Sequence, residues 1–161
     1  MEGDITVYLC LGSNLGDRQL NLKKAVEFIS QRMRIEKSSA VYETEPVDNV
    51  EQPSFLNMVC QAHTRLAPAQ LLTLLKGIES KMGRRGGGPA PRIIDIDILF
   101  YGDQVVNTPD LVIPHPRMAE RAFVLVPMSE VTPDYRHPVL NRTMKELLDG
   151  VKGVQGVLRF A

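Results

Sequence analysis

Hydrophobic spacing over residues 5 to 101 reads in the order strand, helix, strand, strand, helix, strand. That order predicts an α+β fold, with a ferredoxin-like βαββαβ core and a C-terminal extension. Two further observations support it. The second and third strands are separated only by a polar linker, as antiparallel neighbours are, and both helical stretches are amphipathic, so an antiparallel sheet would carry both helices on one face. At 161 residues, with no linker-like stretch, residues 1–161 are expected to form a single domain.

Ile5 to Leu11 is apolar and rich in strand formers, and the Gly12-Ser13-Asn14-Leu15-Gly16 stretch after it reads as a structural turn. Asp17 can cap the next segment, where Leu22, Ala25, Val26, Ile29 and Met33 recur at helical spacing up to about Met33. Ile35 to Thr44 is expected as one strand, with Ile35, Lys37, Ser39, Val41 and Glu43 on one face. Phe55 to Thr64 is the next strand. A second helix begins at Pro68, turns Leu71, Leu72, Leu75, Ile78 and Met82 inward, and is closed by Gly83. Ile93 to Tyr101 is the last strand of the core. Residues 102 to 161 read as loops with two short helices, near Met118 to Ser129 and Thr143 to Val151.

Nineteen basic residues balance nineteen acidic ones, so no overall field gathers nucleic acid or an anionic membrane, and any anion must be held by a local cluster. Cys10 and Cys60 lie in apolar, strand-like runs and read as buried free thiols in a reducing compartment. The N-terminus is acidic where a secretory signal is basic, and no apolar run approaches the roughly 20 residues of a membrane helix. A cytoplasmic location is the expectation.

On the last core strand, the period of two puts Asp95 and Asp97 on one face and Ile94, Ile96, Ile98 and Phe100 on the other. Carboxylates about 6.5–7 Å apart repel unless a cation lies beside them. Either arginines supply it, or Mg²⁺ does, which takes one or two carboxylates together with substrate phosphates. Arg84, Arg85 and Arg92 bracket a glycine loop at 83 to 91, and His115, Arg117 and Arg121 follow the strand. Guanidinium forks beside a carboxylate pair suit phosphate, while the same loop without a ligand would be an exposed basic segment. His115 and His137 each precede proline and are by default surface or core residues. Phe55, Asn57 and Phe123 could hold a flat heterocycle by stacking and amide pairing, with core packing the default for the rings. Glu79 is by default a solvated helix residue.

These residues fall within LGSNLGDR at 11–18, YETEPV at 42–47, QPSFLN at 52–57, LLKGIESKMGR at 74–84, PRIIDIDILFYG at 91–102 and IPHPRMAERAFVLVP at 113–127. On those motifs the chain resembles, end to end, the 6-hydroxymethyl-7,8-dihydropterin pyrophosphokinase family. The resemblance implies pyrophosphoryl transfer from ATP to the pterin, with AMP released, as a step in folate synthesis. It implies that Asp95 and Asp97 ligate two Mg²⁺ ions, that Arg92 and His115 contact the triphosphate, and that Arg84 and Arg121 are phosphate or catalytic-lid groups. ATP would also contact Leu72, Lys76, Glu79, Ile98, Leu111 and Val112. The pterin would stack between Phe55 and Phe123, read by Asn57, Thr44 and the backbone near Val47, with Pro46 shaping the wall. No nucleic-acid or membrane partner is implied, and a monomer is expected. Three features depart from the family pattern: a shorter glycine loop without tryptophan, glycines where a second arginine often stands, and Phe55 at a common tyrosine position.

Three other readings fit such a core: another Mg-dependent nucleotide-binding transferase, a ferredoxin-like RNA-binding module, and a small-molecule regulatory domain of similar fold. Neutral charge, few aromatics, and aspartates where a stacking ring would stand speak against the second.

Overall fold

The computed structural model describes residues 4–44, 54–83 and 93–160. Strand β1 (Ile5–Ser13) lies at the centre of an antiparallel sheet, paired on one side with β5 (Asp95–Tyr101) and on the other with β4 (Phe55–Thr64). Beyond β4 come β2 (Arg34–Ser38) and β3 (Tyr42–Thr44), which share its outer edge, and then β8 (Leu158–Arg159) against β3.

The helices follow from their caps and apolar faces. Asp17 accepts the Leu20 N–H at 3.1 Å to start α1 (Arg18–Ser30), which buries Leu22, Ala25 and Ile29. Pro68 opens α2 (Pro68–Lys81), Gln70 caps the Ala67 N–H at 2.8 Å, and Gly83 ends it at a φ of 103°. Both helices pack on one face of the sheet, in a core that includes Leu9, Leu11, Leu22, Leu71, Leu75 and Ile96.

The other face is covered by the C-terminal extension, for which local spacing indicates loops and short helices but no position on the sheet. Helix α3 (Ala122–Val131) and helix α4 (Met144–Gly150) form a second core there with Tyr8, Cys10, Val59, Leu99 and Phe100. A small two-stranded ladder, β6 (Val106–Asn107) with β7 (Val112–Ile113), precedes them. Strand β8 is only two residues long, which is too short for its periodicity to show in the sequence.

Four expectations are corrected. The strand expected over 35–44 is broken at Ser39–Val41, because Ser39 turns its own groups to Val59: its N–H donates to the Val59 carbonyl and its Oγ accepts the Val59 N–H, both at 2.9 Å. Gly12 and Ser13 belong to β1 and not to the turn. Phe100 does not share a face with Ile94, Ile96 and Ile98. Tyr8 pairs with Phe100 while Leu9 pairs with Ile98, so Leu99 is an extra residue in a β-bulge that reverses the alternation. The helix expected over 118–129 is two pieces, a 3₁₀ turn at Met118–Glu120 and α3, parted by Arg121 in an extended conformation.

Cys10 and Cys60 are buried and unbridged, and burial pushes both thiols up. No helix among the described residues is long and apolar enough to cross a membrane.

Candidate active site

Residues paired across antiparallel strands share a face, so the register lays out the site. Asp95 on β5 faces Gly12 on β1, Gly12 faces Asn57 on β4, and Asn57 faces Tyr42 on β3. One row therefore runs from the carboxylate to the amide across Gly12. With strands about 4.8 Å apart, Asp95 and Asn57 are separated by about 10 Å at the backbone. The neighbouring rows place Asp97 opposite Cys10, and Phe55 opposite Thr44. All of these lie on the face that carries α3.

Asn57 is buried, whereas Asp97 is exposed and Asp95 and Phe55 are half-buried. Gly12 has a spatial reason to be glycine: a Cβ there would meet Asn57 Oδ1 at 2.5 Å. Reading 12–16 as a turn missed this, and only the pairing partner could have supplied the signal. Thr44 Oγ1 is buried without a hydrogen-bond partner among the described residues.

The bulge at Leu99 has a local consequence. The Leu99 carbonyl accepts the His115 N–H at 3.1 Å, which draws the segment after β7 against β5. His115 Nδ1 accepts the Arg117 N–H at 3.3 Å, which leaves the ring proton on Nε2. Burial, then the charges of Arg121 and Arg117, hold its pKa below the ordinary histidine value, so the ring is neutral near pH 7. Arg121 sits at the N-terminal cap of α3, its guanidinium 5.6 Å from the Phe123 ring centroid. Burial raises the Cys10 thiol, and the charges of Asp97 and Asp95 add to this while Arg121 opposes it, so carboxylates and guanidinium act on one locus.

Glu79 is not a solvated residue. It is 5% exposed, and its Oε2 accepts the Ile96 N–H at 2.7 Å, between the two aspartates on β5. Helix α2, which also carries Leu72 and Lys76, packs along β5, as does β7, which follows Leu111 and begins at Val112. Leu72 and Leu111 are half-buried, Ile98 is buried, and Lys76 and Val112 are exposed. Arg84, Arg85, Arg92, Pro46 and Val47 lie outside the described residues, with the glycine loop from 84 onward. His137 belongs to the second core: its Nδ1 accepts the Val139 and Leu140 N–H groups at 3.1 and 3.0 Å, and its ring meets Phe100 edge-on.

Comparison with known proteins gives this arrangement a family. The family model for 7,8-dihydro-6-hydroxymethylpterin-pyrophosphokinase matches residues 8–133. A 2-amino-4-hydroxy-6-hydroxymethyldihydropteridine pyrophosphokinase of Aquifex aeolicus is 43% identical over 142 residues, covering 88% of this chain and 89% of the relative. The folic acid synthesis protein FOL1 of Dictyostelium discoideum is 42% identical over 149 residues, covering 90% of this chain. The chain spans only 22% of that relative's length, and 18% of a Pneumocystis carinii counterpart's. A solved Plasmodium falciparum HPPK-DHPS structure superposes with a TM-score of 0.75 at 20% identity, over 91% of this chain and 43% of that one, and so matches in fold. From the extent of the family match and the identity to the Aquifex relative, the chain belongs to the 7,8-dihydro-6-hydroxymethylpterin-pyrophosphokinase family.

Proposed function

We propose that this chain transfers the pyrophosphoryl group of ATP to the hydroxymethyl group of 6-hydroxymethyl-7,8-dihydropterin, giving AMP and the pterin diphosphate in folate synthesis. The observation that carries the reading is the row Asp95–Gly12–Asn57, which sets a carboxylate and a buried amide about 10 Å apart on one sheet face. That span suits an acceptor alcohol whose ring is read at Asn57 while its reacting end points to the aspartates.

In this reading Phe55 and Phe123 stack on the pterin, and the Asn57 amide pairs with its amino and carbonyl edge. Thr44 Oγ1, buried and unsatisfied among the described residues, gains the partner that buried hydroxyls normally have. The family resemblance assigns Pro46 and Val47 to the same pterin-binding set. The adenosine lies along the outer side of β5 against Leu72, Lys76, Ile98, Leu111 and Val112, and Glu79 enters through its bond to Ile96. Arg121 and the Nε2–H of neutral His115 bind phosphate oxygens, joined by Arg84 and Arg92.

Among the described residues no group of three or more acidic, histidine or cysteine side chains is gathered. Two carboxylates on one face, one of them exposed, nevertheless fit Mg²⁺, which completes its shell with water and phosphate. Asp95 and Asp97 would hold two such ions, which when bound neutralise phosphate charge. The residues themselves orient the alcohol in line with the β-phosphorus and exclude water from it.

The reading extends to the whole chain. The order β5-β1-β4-β3, antiparallel throughout, supports a ferredoxin-like core, and two hydrophobic cores sharing one sheet support a single domain over 1–161. A cytoplasmic location fits the two buried, unbridged thiols, and a monomer belongs to the same reading. The face that an RNA platform would leave open is packed by α3 and α4, which favours the enzyme.

The test is a reaction with γ-labelled ATP, Mg²⁺ and the pterin. Label on the pterin with one AMP per turnover is expected. Labelled pterin with ADP would make the protein a simple kinase, and labelled free phosphate without a pterin product would make it an ATPase.

A further inference from the structure

Behind Thr44 and Phe55, on the opposite face of the sheet, lies a polar cluster that the site does not absorb. Arg18, the first residue of α1, donates from Nη1 to Glu43 Oε2, to the Ser54 carbonyl and to Ser54 Oγ, each at 2.9 Å. Ser54 Oγ in turn donates to Glu43 Oε2 at 2.7 Å. These bonds, from Ser54 first and Arg18 second, hold the Glu43 carboxyl below its ordinary range. The Arg18 guanidinium lies 5.8 Å from the Phe160 ring centroid, and the Phe160 N–H donates to the Val41 carbonyl at 2.8 Å.

Glu43 immediately precedes Thr44, Ser54 immediately precedes Phe55, and Thr44 and Phe55 are register partners. Glu43 pairs with Leu56, whose side chain belongs to the α1–α2 core, so the cluster does not reach the face where Asn57 lies. Strand β3 is only three residues long, and so short a pairing holds its position weakly unless something else fixes it.

We propose that Arg18, Glu43 and Ser54 are positioning residues for the pterin, clamping the backbone from behind so that Thr44 and Phe55 are held at the spacing the heterocycle needs. This rests on the pyrophosphokinase reading above. Stacking and amide pairing tolerate displacements of only about 0.5 Å, so a loosened clamp weakens pterin binding first. ATP, held at the far side of β5, does not feel it.

The measurement is calorimetric titration of the pterin, with a non-hydrolysable ATP analogue and Mg²⁺ present, and of the analogue alone. Arg18→Met is expected to raise the pterin Kd at least about 10-fold, by loss of a charge-assisted network, while the analogue's Kd stays within about 2-fold. Ser54→Ala should act in the same direction with a smaller change, and Arg18→Lys, which keeps a cation beside Glu43, should fall between wild type and Arg18→Met. An unchanged pterin Kd in Arg18→Met would overturn the proposal. So would a parallel rise in both Kd values with a lower melting temperature in Arg18→Met and Ser54→Ala alike, since that describes a purely structural role. If the wild type binds the pterin and yields AMP while the variants bind it normally, only the clamp is lost. A wild type that binds no pterin removes the functional reading and the clamp together.

Discussion

Gly12 carries the site at the level of a single residue. It pairs with Asp95 on one side and Asn57 on the other, and its missing Cβ is the space into which the Asn57 amide fits. Alanine there would meet Asn57 Oδ1 at 2.5 Å, and because Asn57 is buried the amide must rotate or shift. Misaligning a buried hydrogen-bonding group costs about 1–3 kcal/mol, so on the proposed function Gly12→Ala is expected to raise the KM for the pterin roughly 10-fold while the KM for ATP holds. Steady-state kinetics with each substrate varied separately would check this, and equal effects on both would mean general distortion of β1. Nothing in the LGSNLGDR stretch distinguishes a glycine needed for a turn from one needed for a close approach. The distinction lies in Asn57, 45 positions away by its sequence number, so it was not legible until the strands were paired.

At the scale of elements, strand β5 presents both aspartates, and two contacts place it. The bulge at Leu99 bonds the segment carrying His115, and Glu79 of α2 takes the Ile96 N–H that an outer strand leaves unpaired. Removing that acceptor leaves a buried N–H unsatisfied. Glu79→Ala is therefore expected to destabilise the fold by about 1–3 kcal/mol, and Glu79→Gln, which keeps an acceptor oxygen, by less. Urea unfolding of the three proteins measures it; equal losses in both variants would assign the effect to charge and not to the Ile96 bond. Helical spacing put Glu79 beside Ile78 and Met82 at the margin of the apolar face, and spacing alone reads such a position as solvated. The carboxylate is buried because a strand edge from another part of the chain supplies a donor.

For the molecule as a whole, the C-terminal extension makes the sheet two-sided. Its attachment runs through an aromatic group in which Tyr135 lies 4.7 Å from Phe100 and 5.1 Å from Tyr8, and the Tyr135 hydroxyl donates to the Gly102 carbonyl at 2.6 Å. His137 joins this group, 6% exposed, and burial holds its pKa below the ordinary 6.5. Below about pH 6.5 the unfolded chain takes up the proton before the folded one does. The stability His137 contributes is therefore full above that value and is lost as pH falls through the lower folded pKa. His115, depressed for a similar reason, adds to the same acid sensitivity. His137→Asn keeps an acceptor for the Val139 and Leu140 N–H groups but cannot titrate. Its melting temperature is expected to fall less than the wild type's between pH 7.5 and 5, and an identical fall would mean that His137 does not drive the acid sensitivity.

The sequence by itself determined what depends on near neighbours. Alternation put Asp95 and Asp97 on one face, the cap at Asp17 and proline at 68 started the helices where they begin, and β4 runs from Phe55 to Thr64 as the β-leaning run indicated. The motifs that carry the family resemblance are local in the same sense. Tertiary structure alone decided which groups those residues meet. It placed Phe100 with the aspartates' face through the bulge, set Gly12 between carboxylate and amide, buried Glu79 against Ile96, and added β8 to the sheet beside β3. Each of these depends on a contact between segments far apart in the chain, and spacing within one segment holds no record of its partner.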